Sequence, residues 1–298
     1  MPEPSFCADA SRARGEPLYG TASTVRRWLL VERDGPWGAD AVADNRFPAR
    51  ARGELARLGR RLRARVLLFK RHGRHTQRGV RCFAAFTGRG RRWLERLRFD
   101  DLDGLLAHDL SPLRRGESVG GAPVDGLRMF VCTHGKHDAC CAVRGREVAA
   151  ALHADEPDTV FECSHIGGDR FAANVLVLPL GLYLGRVPAE RAGALAAALR
   201  EGRLDLDCYR GRTCYPFDAQ AAEWLVRERL SLDGVDDLEL VTHERPAPGV
   251  VRSRFWVARE DREVVAELSV SKRPAAKLTC RAAAAAAAPA YELVRLEG

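Results

Sequence analysis

The stretch 127–166, LRMFVCTHGKHDACCAVRGREVAAALHADEPDTVFECSHI, decides the fold of this chain. It opens with an apolar run suited to a buried strand, LRMFVC, and shows helical spacing from Gly145. It then returns to β-branched and aromatic residues in TVFECSHI, from Thr159. Strand, helix and strand in this order predict a βαβ unit with two parallel strands. The carboxyl ends of both strands then lie at the same edge of the sheet.

The residues that follow extend this unit. NVLVLP (174–179) and GLYLGRV (181–187) are two further strand-like runs, and VPAERAGALAAALREG (187–202) has the pattern of a helix. The resulting order, β-α-β-β-β-α, is the one that a thioredoxin-like domain uses. The sequence therefore predicts an α/β protein built around such a domain.

The segments on either side complete the predicted organisation. Upstream, ELARLGRRL has helical spacing, whereas ARVLLFKR and RCFAAFTGR read as strands. Downstream, SRFWVARE and REVVAELSV alternate apolar and polar residues, which predicts a β-hairpin, and the alanine run in 281–290 predicts a linker or short helix. We predict an arginine-rich N-terminal α/β region over 1–120, a thioredoxin-like domain over 121–232, and a C-terminal β-hairpin extension with an Ala-rich tail over 233–298.

Basic charge is concentrated in one part of the chain. The segment Arg46–Arg98 holds seventeen arginines and one lysine against Glu54 and Glu95, and the chain as a whole carries a net charge of +8. Such a segment can steer an acidic protein, track nucleic-acid phosphates, or form a solvated face of ordinary α/β structure. We prefer the structured face to a disordered basic arm, because helix and strand patterns run through it.

Cysteine usage and hydropathy indicate the compartment. No apolar run reaches the length of a membrane span, and the N-terminus lacks the apolar core of a secretion signal. These features predict a cytoplasmic protein with no membrane association. Nine cysteines in a reducing compartment are expected to remain free thiols, which favours metal or redox chemistry over a disulfide framework.

Thiols and imidazoles concentrate at the predicted sheet edge. Cys132 ends the first strand of the βαβ unit, and eight residues separate it from Cys141, which lies just before the predicted helix. His165 and Asp169 follow the second strand, so all four side chains are expected to converge. Thiolates bind iron–sulfur clusters and zinc, and imidazole on an iron raises the reduction potential.

The neighbouring Cys140 is expected to be a small buried or partly exposed thiol and not a second ligand. His134 and His137, in the loop between the two cysteines, are expected to make loop hydrogen bonds or to tune proton uptake before they ligate directly.

Two adjacent glycines lie between His165 and Asp169, after Ile166. Gly167 and Gly168 permit a close backbone approach and are expected to present amides to a cofactor. We therefore include both as cofactor-binding residues.

At these positions the chain resembles the sucrase/ferredoxin-like family. The family signature is a Cys, eight residues, a second Cys, and later a SHIGGH segment followed by an aromatic residue and AGN. Here it reads Cys132, THGKHDAC, Cys141, and SHIGGDRFAAN over 164–174. EPLYGTASTVRRWLLVERDGPWG and RGRTCYPFDAQAAEWLVRE also resemble family segments. The resemblance implies a thioredoxin-like [2Fe-2S] ferredoxin domain, with Cys132 and Cys141 on one iron and His165 on the other.

The fourth ligand position departs from the family pattern. Asp169 stands where the second histidine of the signature would be. Three replacements are open: Asp169 itself, Cys163 two residues before His165, or a distant thiol such as Cys280. Position along the chain favours Asp169, because Cys163 lies deeper in its strand.

These observations predict a [2Fe-2S] ferredoxin-like electron-transfer or redox-sensing protein, more a non-catalytic electron carrier than an enzyme. Its expected partner is an acidic redox protein such as a reductase or electron acceptor. The alternative is a cluster-free or zinc-bearing thioredoxin-like binding module whose Arg-rich face contacts nucleic acid or an acidic protein. A thiol oxidoreductase is not favoured, because the chain contains no Cys-x-x-Cys.

Overall fold

A computed structural model describes residues 6–73 and 79–298 of the chain. Within these residues the helices are α1 (Cys7–Ala13), α2 (Ala49–Leu62), α3 (Leu102–Ala107), α4 (Ala139–Asp155), α5 (Ala192–Arg200) and α6 (Phe217–Leu230). The strands of the first half are β1 (Arg27–Glu32), β2 (Arg65–Lys70), β3 (Val80–Thr87), β4 (Arg92–Phe99), β5 (Ala122–Pro123), β6 (Arg128–Cys132) and β7 (Val160–Cys163). Those of the second half are β8 (Val175–Leu178), β9 (Leu182–Leu184), β10 (Tyr209–Arg212), β11 (Leu238–Ala247), β12 (Val250–Val257), β13 (Arg262–Lys272) and β14 (Pro289–Glu297).

One large mixed sheet positions the candidate site. Its strand order is β10-β9-β8-β6-β7-β2-β1-β3-β4-β5. β6 and β7 are parallel, with Cys132 opposite Cys163, and α4 connects them. The order β6-α4-β7-β8-β9-α5 matches the predicted β-α-β-β-β-α series, so the predicted α/β class is confirmed.

A second βαβ unit lies in the arginine-rich region. β1 and β2 pair in parallel and are connected by α2, whose apolar face is buried at Leu55, Leu58 and Leu62. The two halves of the sheet meet where β2 pairs antiparallel with β7, through Phe69 opposite Cys163 and Lys70 opposite Glu162. The N-terminal region and the thioredoxin-like region therefore share one sheet. The division at 120/121 and 232/233 stays a prediction.

Phenylalanine rings pack across this seam between the two halves. Phe69 of β2 lies 5.2 Å from Phe83, 5.8 Å from Phe130 and 5.2 Å from Phe161, measured between ring centroids. All four side chains are buried. Because the β2–β7 ladder has only two residue pairs, apolar burial supplies most of the cohesion between the halves.

The C-terminal region forms a separate antiparallel sheet of order β11-β12-β13-β14, against which α6 packs. The predicted hairpin is present as β12 and β13. β11 and β14 extend it on either side, and the sequence analysis did not anticipate them. The seven-alanine run forms no helix within the described residues 281–288, and β14 begins at Pro289. Such a short run without an apolar face cannot offset the cost of helix nucleation.

Exposed arginines cover the outer side of α2. Arg50, Arg57, Arg60 and Arg61 are all exposed, in keeping with a charged face on ordinary α/β structure. Arg74 and Arg78 of the basic segment lie outside the described residues.

No helix among the described residues combines the length and the apolar character that a bilayer crossing requires.

We predict that Phe69→Ala lowers the free energy of unfolding by about 3–5 kcal/mol, because it removes the ring at the centre of the seam. Urea denaturation of the purified protein measures this loss. Phe217→Ala is the matched control, because the Phe217 side chain is 45% exposed, and it should cost less than about 1 kcal/mol. Equal losses for the two variants would contradict the packing role of the seam.

Candidate metal centre

The first turn of α4 positions two of the four predicted side chains. Cys132 ends β6, and the chain then loops to Asp138, whose carboxylate accepts a hydrogen bond from the Cys140 amide and caps α4. The helix begins at Ala139, six residues earlier than expected. The expectation that Cys141 precedes the helix was therefore wrong, because the Asp138 cap had been overlooked. Cys140 and Cys141 lie in the first turn and are both buried.

Donor atoms from three separate segments converge at the carboxyl end of β6 and β7. The sulfurs of Cys132 and Cys141 and a ring nitrogen of His165 all lie within 4.8 Å of one another. Asp169 joins them, with its Oδ1 3.3 Å from Cys141 Sγ and 2.9 Å from His165 Nδ1. This group can therefore hold a metal ion through sulfur, nitrogen and oxygen donors.

Two further histidines surround His165. The His137 ring stacks on the His165 ring, with centroids 3.7 Å apart and planes inclined at 20°. His137, His165 and Asp169 also form a group of donors within 4.8 Å of one another. His134 accepts a hydrogen bond at Nδ1 from the His165 amide, so its Nε2 donates to the Gly38 carbonyl oxygen 2.6 Å away. His134 thus orients the His165 backbone, while His137 is a further donor candidate.

The pKa values of Cys132, Cys141, His165 and Asp169 depend on one another through hydrogen bonds and charge. A hydrogen bond from Cys141 lowers the pKa of Cys132, with His165 contributing, whereas the pKa of Cys141 is raised because it keeps the proton of the pair. Burial opposes the charged form of His165, but Asp169 and Cys132 outweigh it and raise the pKa of His165 to about 9. Burial also opposes ionisation of Asp169, yet His165 lowers its pKa. A bound cation would displace the protons held by Cys141 and His165.

A buried arginine holds the double-glycine turn. Arg210 donates through Nη1 to the Gly167 carbonyl and to Asn174 Oδ1, and through Nε to Thr21 Oγ1. Gly167 and Gly168 have φ of +98° and +81°, and a Cβ on Gly168 would lie 2.3 Å from the Arg210 guanidinium. The packing of Arg210 thus explains why glycine is needed at 168. That the glycine amides contact a cofactor stays a prediction.

The three proposed fourth ligands occupy different places. Asp169 lies in the donor group with Cys141 and His165. Cys163 is buried inside β7 and belongs to none of the metal-binding groups among the described residues, and burial raises its pKa well above the usual range. Cys280 lies in a second group together with Cys140.

A cavity of about 440 Å³ leads from the surface to the imidazole of His165. Arg60 of α2 and Arg65 of β2 line it, opposite residues 39–42. The His165 side chain is 21% exposed, whereas both cysteines of the centre are buried. Of these three donors, His165 is therefore the one that is accessible to solvent.

Sequence reasoning missed three contributors to this centre. His137 had been expected to make loop hydrogen bonds or to tune proton uptake, and Arg210 and Asn174 had no assigned role. The resemblance of RGRTCYPFDAQ to a family segment was a signal for Arg210, because this segment supplies none of the candidate metal donors among the described residues and so suggests a supporting role. The sequence carried no such signal for the stacking of His137 on His165.

Comparison with known proteins identifies the family of the chain. The family model described as sucrase/ferredoxin-like matches residues 18–211, which include the whole donor group and Arg210. No curated protein and no solved structure matches the chain. The chain belongs to the sucrase/ferredoxin-like family.

We predict that Gly168→Ala costs about 1–3 kcal/mol more unfolding free energy than Gly126→Ala, because its Cβ overlaps Arg210. Gly126 is the matched control, since it also has a positive φ, +69°, but its Cβ would enter open space. Urea denaturation of both variants measures the difference. Identical midpoints would show that Arg210 can move without cost.

Proposed function

We propose that this sucrase/ferredoxin-like protein is an electron-transfer or redox-sensing protein that holds a [2Fe-2S] cluster. The observation that carries the proposal is the convergence of Cys132, Cys141 and His165 at one edge of the sheet, with donor atoms within 4.8 Å. Such a cluster, when bound, accepts and releases a single electron. The family assignment supports the same reading.

The residues of the centre fit this cofactor in their chemistry. Cys132 and Cys141 supply the two soft thiolate donors that iron–sulfur clusters require. His165 supplies a nitrogen donor on the solvent side, which favours a higher potential than four thiolates would give. The sheet and α4 bury both sulfurs and exclude water from them.

For the fourth donor we propose Asp169. Its Oδ1 contacts both Cys141 Sγ and His165 Nδ1, and its side chain is 3% exposed. A carboxylate is a harder ligand than imidazole, so it should lower the reduction potential of the cluster and weaken its binding to the protein. His137 is the competing donor, because its ring stacks on His165.

The arginines near His165 fit a docking role for an acidic redox partner. Arg60 and Arg65 line the cavity at His165, and further exposed arginines of α2 lie beside it. A positive surface around the exposed edge of the centre would speed the approach of a negatively charged protein.

A single zinc ion is the second candidate for the centre. Two thiolates and one imidazole lie within 4.8 Å of one another, and the Asp169 carboxylate contacts Cys141 and His165, so the donor types are those that a tetrahedral zinc ion takes. The protein would then be a binding module, with its arginine face contacting an acidic protein or nucleic acid. A colourless zinc protein that shifts random DNA in a salt-dependent manner would support this second candidate.

Iron and acid-labile sulfide analysis of anaerobically purified protein tests the cluster directly. We expect about two irons and two sulfides per chain, with a red-brown visible spectrum. Cys132→Ser and Cys141→Ser should each lose the colour, because each removes one thiolate ligand. Cys208→Ser, which changes a buried thiol outside the centre, should retain it. A wild-type protein without iron or colour would remove the cluster proposal.

The fourth donor is tested by a pair of variants. We expect Asp169→Ala to change the visible spectrum and lower the iron content, because it removes a ligand. His137→Ala should leave the iron content unchanged. The reverse result would assign the fourth position to His137. An unchanged spectrum in both variants would favour Cys163 instead.

Salt dependence tests the role of the arginines. The rate at which the reduced protein is oxidised by ferricyanide, an anion, should fall as ionic strength rises, because salt screens the positive surface. Arg60→Glu should flatten this dependence, whereas Arg295→Glu, on β14, should not. A flat response in the wild-type protein would remove the steering role.

A further inference from the structure

Three cysteines far apart in sequence meet in a second place. Cys7 begins α1, Cys140 lies in the first turn of α4, and Cys280 lies in the segment between β13 and β14. Their sulfurs form a triangle: Cys7 to Cys140 is 3.6 Å, Cys140 to Cys280 is 3.4 Å, and Cys7 to Cys280 is 3.4 Å. These distances exceed a covalent S–S bond of about 2.05 Å, so the three are free thiols in contact.

A carboxylate completes the group. The oxygens of Asp138 lie 3.9 and 4.0 Å from Cys7 Sγ, and all four residues have a donor atom within 4.8 Å of every other. Asp138 Oδ1 accepts from the Cys140 amide and Oδ2 from the Cys280 amide, both at 2.9 Å. Each carboxylate oxygen has a second lone pair, so these hydrogen bonds orient Asp138 and still leave it able to bind a metal ion.

The spacing matches the coordination shell of one small cation. Tetrahedral zinc with Zn–S bonds of about 2.3 Å places its thiolate sulfurs about 3.8 Å apart. The observed sulfur triangle is only slightly tighter than this. The Cys7 amide also points at Cys280 Sγ, 3.5 Å away, as amides do around metal thiolates.

We propose that Cys7, Cys140, Cys280 and Asp138 form a structural zinc site, separate from the candidate redox centre. Soft thiolates in a closed, four-donor site select zinc over magnesium or calcium. Cys7, Asp138 and Cys140 are buried, and the exposed Cys280 provides the entry path for the ion. The ion joins α1 and the segment before β14 to the start of α4.

This site does not depend on the redox proposal. Cys7 and Cys280 lie outside the residues that the family model matches, 18–211. Cys140 and Cys141 are adjacent, but a helix turns by about 100° per residue, so their sulfurs point to different groups. One turn of α4 thus supplies a ligand to each site.

Zinc and iron are measured in the same anaerobically purified samples. We expect about one zinc per chain in the wild-type protein and at least ~10-fold less in Cys280→Ser, with the iron content unchanged. Cys280 is exposed, so its replacement should not impair folding. Cys214→Ser is the matched control, because this half-buried thiol belongs to neither group. If the first centre also holds zinc, the zinc content should fall from about two ions per chain in the wild-type protein to about one in Cys280→Ser. A failure of the cluster proposal can therefore be distinguished from a failure of the zinc-site proposal.

Further measurements use other readouts. Cobalt(II) added to the zinc-depleted protein should give the charge-transfer and ligand-field bands of a tetrahedral thiolate site in Cys214→Ser but not in Cys280→Ser. Hydrogen exchange at α1 should be faster in Cys280→Ser, because α1 loses its link to α4. Asp138→Asn, which retains a good helix cap, should weaken zinc binding at least ~10-fold.

Three results would overturn the assignment. The first is a wild-type protein that takes up no zinc or cobalt when reduced, and the second is full zinc retention in Cys280→Ser. The third is a disulfide between two of the three cysteines in anaerobically purified protein that contains no zinc. Unchanged affinity in Asp138→Asn would remove Asp138 from the ligand set.

Discussion

The parallel pairing of β6 with β7 is the constraint on which the centre depends. It sets Cys132 directly beside Cys163 and brings the loops after both strands to one edge of the sheet. Cys132, Cys141 and His165 can approach within 4.8 Å only because their segments leave the sheet side by side. Arg210 holds the loop after β7 in place by donating hydrogen bonds to the Gly167 carbonyl oxygen and to Asn174 Oδ1. The donor group is thus a product of strand order as much as of the residues themselves.

The start of α4 has a comparable importance for the chemistry. Asp138 caps the helix at Ala139, which brings Cys140 and Cys141 into the first turn instead of the preceding loop. The two neighbouring thiols then point about 100° apart around the helix, one towards His165 and Asp169 and the other towards Cys7 and Cys280. A vicinal pair in a loop would have no such fixed divergence, since a helix alone holds successive side chains at a constant angle.

Local patterns in the sequence were enough to predict the α/β class, the β-α-β-β-β-α order and the convergence of the signature residues. Periodicity and motif spacing carry that information, because they depend on residues close together in the chain. The contacts that escaped prediction are between distant segments. Nothing near Cys7 or Cys280 indicates that they meet, and the burial of Arg210 depends on Thr21 and Asn174 in other segments. The strands β11 and β14 were missed because the adjacent apolar pairs Leu240–Val241 and Leu293–Val294 interrupt the alternation that marks a half-buried strand.

The narrow seam between the two halves of the large sheet has a consequence for biosynthesis. β2 is the outer strand of its half until β7 pairs with it, and β7 leaves the ribosome long after β2. During that interval β2, RVLLFK, is paired with β1 on one side and leaves its other edge open to neighbouring chains. The arginines on α2 and at either end of β2 give each incomplete chain a positive charge. Repulsion between these charges should oppose the association of neighbouring nascent chains through β2.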